Sequence, residues 1–206
     1  MNVPQQQIYR YTTERPFLSI VTRHHIGRPR MLRDCWQSLK AMTDNDFEHV
    51  LLIDDGPRGL EYANCQFERH KHLVRGRYVW KLDDDDLLVY PDFLSDLKAI
   101  VEEHKPHIVM VKANVGYDDV QRRDFGVMPS ANVWNNRPLC GEICCLNYIV
   151  RADVWRSHIE ACCGGIGCAW RFTSAIWEAV EAGDYSVYWH DKLVARSQRL
   201  SHGRAE

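Results

Sequence analysis

The chain has 206 residues, 45% of them apolar, and a formal net charge of −2. That length suits one domain with a sizeable core, and the near-neutral balance predicts neither a strong polyanion binder nor an acidic tail. No run approaches the ~18 apolar residues of a membrane span, and residues 1–15 are too polar for a secretion signal, so the expected compartment is the cytoplasm.

The first predicted element is a buried strand over Phe17-Leu-Ser-Ile-Val-Thr22, a short β-rich apolar run. Arg23 to Gly27 reads as a loop. Pro29 is tolerated in a first helical turn. Met31, Cys35, Leu39 and Met42 then recur at helical spacing with Trp36 beside them, which predicts a helix over 29–43. His49-Val-Leu-Leu-Ile53 is a second strand, closed by Asp54-Asp55-Gly56-Pro57, where the chain turns away. Residues 58–76 are polar and partly helical. Tyr78-Val-Trp-Lys-Leu82 is a third strand that runs into Asp83-Asp84-Asp85-Asp86. Pro91 opens a helix with Phe93, Leu94, Leu97, Ile100 and Val101 on one face, and Ile108-Val-Met-Val111 is a fourth strand. Residues 113–145 read as loops with short strands. Helices follow over 152–162 and 170–182, then a strand over 185–189, and the polar end from Arg196 is expected to fray. Strand–helix alternation over roughly 110 residues predicts an α/β fold with a mostly parallel central sheet flanked by helices.

In an open α/β sheet, ligands bind beyond the carboxyl ends of the strands. Three predicted strands end in polar chemistry: Thr22-Arg23-His24-His25, Asp54-Asp55, and the four consecutive Asp. Adjacent carboxylates repel and rise in pKa unless a cation compensates. The run therefore points to a hard divalent ion with oxygen ligands, Mn2+ or Mg2+. A carboxylate at Asp54 or Asp55 can accept hydrogen bonds from a ribose hydroxyl or a base N–H, although Asp-Gly is also a common turn dipeptide. Six of the eight Cys fall between Cys140 and Cys168 without a C-x2-C pair. Reduced thiols, behaving as small buried hydrophobes, are expected there rather than zinc ligands or disulfides.

These motifs, in order, resemble the family 2 glycosyltransferases of GT-A fold. The resemblance lies in Leu18-Ser-Ile-Val-Thr22 followed by Arg28-Pro29-x-x-Leu32-x-x-Cys35-x-x-Ser38-Leu39, in Leu52-Ile53-Asp54-Asp55-Gly56, and most closely in Arg75-Gly-Arg-Tyr-Val-Trp-Lys-Leu-Asp-Asp-Asp-Asp86 with Pro91-Asp92-Phe93-Leu94 after it. It implies one GT-A-like, Rossmann-like domain over 1–206, with a nucleotide-sugar-binding half at about 17–112 and an acceptor-side half at about 113–206. It also implies metal-dependent transfer of a sugar from a nucleotide-sugar donor, by default a UDP-sugar, to an acceptor hydroxyl with inversion. Thr22, Arg23 and His24 would line the base pocket, and Asp54 or Asp55 would hold the base or ribose. Asp83 and Asp85 match the two acids of the family's D-x-D motif, with Asp85 on the metal, Asp83 on the ribose or metal, and Asp84 and Asp86 beside them. Arg69, Lys71 or Arg75 could reach the diphosphate. His202 resembles the late histidine that completes metal coordination, and Gly141-Glu142 the glycine loop near the donor sugar.

The family places an acidic base near the start of its late helix, where this chain reads Gly167-Cys168-Ala169-Trp170. The base is therefore sought elsewhere, at Glu142 first and at Asp191 among other substitutes (Asp184, His158, His190). The missing carboxylate leaves open a catalytically degenerate, donor-binding relative. A nucleotidyltransferase is disfavoured because no Gly-rich loop follows the first strand. The acceptor is a saccharide, a lipid-linked group or, as the alternative, a modified base in nucleic acid, which Arg23, Arg28, Arg30, Arg33, Arg69, Lys71, Arg75 and Arg77 would suit if gathered at the active edge.

Overall fold

The computed structural model describes residues 6–10, 15–54, 59–118 and 123–198. In chain order these form β1 (Gln6–Arg10), β2 (Leu18–His25), α1 (Pro29–Lys40), β3 (Phe47–Asp54), α2 (Gly59–Arg69), β4 (Tyr78–Lys81), β5 (Asp86–Leu88), α3 (Phe93–His104) and β6 (Ile108–Asn114). The short β7 (Tyr117–Asp118), β8 (Arg123–Asp124) and β9 (Val127–Met128) follow, then β10 (Tyr148–Arg151), α4 (Ala152–His158), α5 (Cys168–Glu181) and β11 (Val187–Ser197).

The main sheet runs β1-β3-β2-β4-β10-β6-β11-β5, with β9 paired beside β6. Its first half is as expected: β2 pairs in parallel with both β3 and β4. The sheet as a whole, however, is mixed rather than mostly parallel. β10 lies antiparallel between β4 and β6, setting Ile149 opposite both Trp80 and Val109. Its four residues are too short a run to stand out between a loop and a helix. β1, in a segment for which the sequence predicts no element, adds an antiparallel edge on β3.

Alternation along the strands fills both faces of the sheet. Leu18, Ile20, Tyr78, Trp80, Val109 and Val111 pack under Cys35 and Leu39 of α1 and Phe93, Leu94, Leu97 and Val101 of α3. Val21, Val50, Val79, Met110 and Val150 face Phe67 of α2, Trp155 of α4 and Phe172 and Ile176 of α5. Both faces being covered explains why the strands read as apolar runs rather than as alternating ones. Among the described residues no helix is long and apolar enough to cross a membrane.

β2 and β4 lie so close at their start that Gly76 is required. A Cβ there would lie 2.5 Å from the Ser19 nitrogen and 2.7 Å from Ser19 Oγ. The Gly76 N–H donates to Ser19 Oγ at 2.8 Å, Ser19 Oγ donates to Glu48 Oε1 at 2.6 Å, and the Arg75 N–H donates to the same oxygen at 2.7 Å. This buried network fixes the amino end of β4 against β2 and β3, and so fixes what emerges at the other end.

Candidate active site

β4 emerges at its carboxyl end as Leu82-Asp83-Asp84-Asp85. The pairing with β2 continues past the regular strand, with Leu82 N–H on Val21 O (3.2 Å) and Asp84 N–H on Arg23 O (3.2 Å). The chain then reverses. Asp86 N–H donates to Asp83 O at 3.0 Å, and Asp83 N–H donates to Asp86 Oδ2 at 2.9 Å, so the turn is closed from both sides. β11 reaches across the sheet to the same turn. Ser197 Oγ donates to Asp86 Oδ1 at 2.9 Å, Gln198 N–H to Asp85 O at 2.6 Å and Gln198 Nε2 to Asp84 O at 3.3 Å. The end of β11, expected to fray, is thus ordered at the centre of the site.

The four carboxylates have separate tasks. Asp83, Asp85 and Asp86 bring one oxygen each to within 4.8 Å of one another. Burial and the neighbouring carboxylates push Asp85 up to about 6 and Asp86 well above the usual carboxylate range. Asp83 is held below that range by Arg23 and Lys81, against the effect of burial. Its Oδ1 is buried with no hydrogen-bond partner. Three hard oxygen donors, one of them orphaned and two raised in pKa by crowding, fit a divalent cation of the Mn2+ or Mg2+ type. Asp84 turns the other way. It is fully buried, its Oδ2 lying 2.8 Å from His24 Nδ1 and accepting the His25 N–H at 3.2 Å. The Arg28 guanidinium lies 3.3 Å from Asp84 Oδ1 and 3.7 Å from Asp85 Oδ2. Asp84 and His24 therefore tie the β2–α1 connection to the acidic turn and do not face a ligand.

Beside the turn, Arg23, His25, Arg28 and Asp54 line a recess of about 260 Å3, with Gly59, Leu60 and Ala63 of α2 as its far wall. Arg23 spans the boundary, donating to Asn64 Oδ1 at 2.6 Å and to Asp83 Oδ2 at 3.2 Å. Arg23 and Asp54 are thus brought together, and Arg28, given no donor-binding role by the sequence, joins them. Thr22 is not. β2 continues three residues beyond the predicted strand, which leaves Thr22 fully buried with its hydroxyl 2.7 Å from His49 Nε2.

Arg75 is also elsewhere. It lies before β4, at the opposite end of the strand from Asp83, and with Arg15, Arg77 and Arg156 it lines a separate recess of about 740 Å3. The eight basic residues therefore do not form one strip at the active edge. In the second half of the chain, Glu142 is half-buried and accepts a hydrogen bond from the Ser130 hydroxyl. Asp191 is exposed at an irregularity of β11, where it pairs with Lys112. Asp55 and His202 lie outside the described residues.

Sequence reasoning missed the inner wall. Lys81, fully buried, lies 3.6 Å from Asp83 Oδ2 and donates to Cys145 Sγ at 2.9 Å and to Cys168 Sγ at 3.5 Å. Cys168 opens α5 next to Gly167, whose φ of +84° suits glycine. The hydrogen bond from Cys145, reinforced by Lys81, brings Cys168 down to about 5, while Cys145 is pushed well up. A charged residue in an apolar run was the available signal, but its partners are 64 and 87 residues away.

No family model matches the chain, and no curated protein matches it in sequence. Solved structures do. S. aureus TarS superimposes with a TM-score of 0.60 at 14% identity, covering 88% of this chain and 36% of that one. TarS 1–349 in complex with UDP-GlcNAc gives 0.57 at 13% identity, covering 91% and 60%, and its complex with UDP gives 0.54 at 12%, covering 88% and 60%. The chain thus spans between about a third and three fifths of these neighbours. At such identities the likeness establishes the fold alone, one shared with TarS over most of this chain.

Proposed function

We propose that this chain is a divalent-metal-dependent glycosyltransferase that moves a sugar from a nucleotide-sugar donor, a UDP-sugar first, to an acceptor hydroxyl with inversion. One observation carries the reading: the three-carboxylate turn of Asp83, Asp85 and Asp86 at the carboxyl end of β4, in a GT-A-like fold. The structural neighbour TarS is a glycosyltransferase crystallised with UDP-GlcNAc and with UDP, which makes UDP-GlcNAc the first donor to test.

In this reading Asp83, Asp85 and Asp86 hold the cation, and His202 adds a ligand. Arg23 and Asp54, with Asp55, receive the nucleoside in the recess beside the turn, and Arg28 adds positive charge next to the diphosphate. A divalent ion bound there supplies Lewis-acid neutralisation of the charge that develops on the leaving diphosphate. Glu142 is the first candidate for the base that accepts the acceptor's proton, a contribution of about 100- to 10,000-fold, and Asp191 is the second.

Release of UDP from UDP-GlcNAc and related UDP-sugars, with and without Mn2+, tests the reading. Metal-stimulated release that Asp85→Ala abolishes supports it, and release indifferent to both would reject it. Cys168 and Ala169, in place of a carboxylate at the start of α5, favour a second reading in which the chain binds the donor without transferring the sugar. Metal-dependent UDP-sugar binding with no UDP release in any acceptor mixture would select it.

A further inference from the structure

Two thiols lie close together at the inner wall of the site. Cys145 Sγ and Cys168 Sγ are 3.6 Å apart, and a disulfide needs about 2.05 Å, so a shift of roughly 1.5 Å would join them. Both sulfurs accept from the Lys81 ammonium, and Cys168 is the first residue of a helix of 14 residues, where the N–H groups and the helix dipole favour negative charge. Both also line a cavity of about 350 Å3 with Ile143, Gly167 and Trp170, which gives a small reagent a way in. A cation beside the sulfur, a helix N-terminus and partial access are the conditions that make a cysteine reactive, and a second thiol in reach is what turns a first oxidation into a reversible one.

A second thiol pair in the chain supplies the contrast. Cys163 shares a hydrogen bond with Cys65, but burial and that bond push Cys163 up to about 12, with Glu68 and Glu160 as its charged neighbours. Two thiols in reach are common to both places, but the first pair has the Lys81 ammonium directly on its sulfurs while the charged neighbours of Cys163 are carboxylates.

We propose that Cys168 and Cys145 form a hydroperoxide-reactive dithiol site that closes to a disulfide. The Cys168 thiolate attacks one peroxide oxygen, the O–O bond breaks, and hydroxide leaves to take up a proton. The Cys145 sulfur then attacks the Cys168 sulfenic acid, the S–O bond breaks, and water departs as Cys145 gives up its proton. Two thiols lose two electrons, and hydrogen peroxide becomes two waters. Closure removes the thiolate beside Lys81 and leaves Asp83 as the nearest described counter-charge. This chemistry stands whether or not the chain transfers sugars.

The test treats the reduced full chain with stoichiometric hydrogen peroxide, alkylates the remaining thiols and maps the peptides by mass. The expected result is a Cys145–Cys168 cross-link lighter by two hydrogens, reversed by dithiothreitol, forming at least about tenfold faster than any Cys65–Cys163 link. In Cys145→Ser, dimedone should trap a sulfenic acid at Cys168. Cys145 and Cys168 both emerging alkylated while other thiols are oxidised, or Cys65–Cys163 closing first, would overturn the proposal on the wild-type chain alone, without reliance on the variant folding.

Discussion

Asp85 is a side chain whose titration reports on what binds at the acidic turn. Its folded pKa, about 6, lies above the unfolded carboxylate value near 4. The folded state therefore favours the protonated acid, and this contribution to stability is lost as pH rises from 4 through 6. A cation at the turn offsets the repulsion that builds up over the same range. Mn2+ should accordingly raise Tm more at pH 7.5 than at pH 5, and calorimetric Mn2+ affinity should fall by at least about tenfold per pH unit below 6, because a proton must leave Asp85 first and the raised carboxyl of Asp86 can only add to the slope. Equal affinity at pH 5 and 7.5 would separate Asp85 from the cation. Asp84, one residue away, belongs to the scaffold: it is fully buried against His24 and the His25 N–H. Removing one partner of such a pair costs about 3 kcal/mol, so Asp84→Ala should lower unfolding stability in urea by that amount, and a loss below about 0.5 kcal/mol would contradict the assignment. The acidic run could be read from the sequence because its residues are adjacent. The division of labour within it could not, since the atoms that set it belong to His24, Arg28, Lys81 and Ser197.

The elements that carry the turn depend on the seam between β2 and β4. Gly76→Ala would push a methyl into the backbone of Ser19 and Leu18, neither of which is the free end of a flexible side chain. Overpacking of this kind costs about 1–3 kcal/mol. The variant should lose stability by that amount and weaken Mn2+ binding as the turn shifts; a neutral effect on both would mean that the seam does not position the turn. The strand–helix alternation of the first half was legible because each strand is apolar, long enough and followed by a Pro or Gly signal. β10 was not legible, being four residues of Tyr148-Ile-Val-Arg151 whose place between β4 and β6 is decided only by long-range pairing. β11 was predicted too short because the polar stretch from His190 to Lys192 interrupts its pattern at the irregularity of the strand. Thr22 was misread for the opposite reason: with both faces of the sheet buried, nothing local tells which side of β2 meets a ligand.

Across the whole molecule the two ends of the sheet are chemically distinct. The carboxyl end of β4 carries the acidic turn, while the amino end carries the arginine-lined recess with Arg75. Arg75→Ala should therefore leave Mn2+-dependent UDP affinity within about twofold, under ~0.5 kcal/mol, whereas a loss beyond tenfold would bring Arg75 back into the donor site. The central claim is that Asp83, Asp85 and Asp86 together hold a divalent cation that grips a nucleotide diphosphate. Electron paramagnetic resonance of Mn2+ titrated into the protein with UDP tests it most directly. The account predicts that the free-ion signal is quenched by one bound Mn2+ per chain in the wild type and not in Asp85→Asn. An undiminished free-ion signal in the wild type at saturating UDP would contradict it.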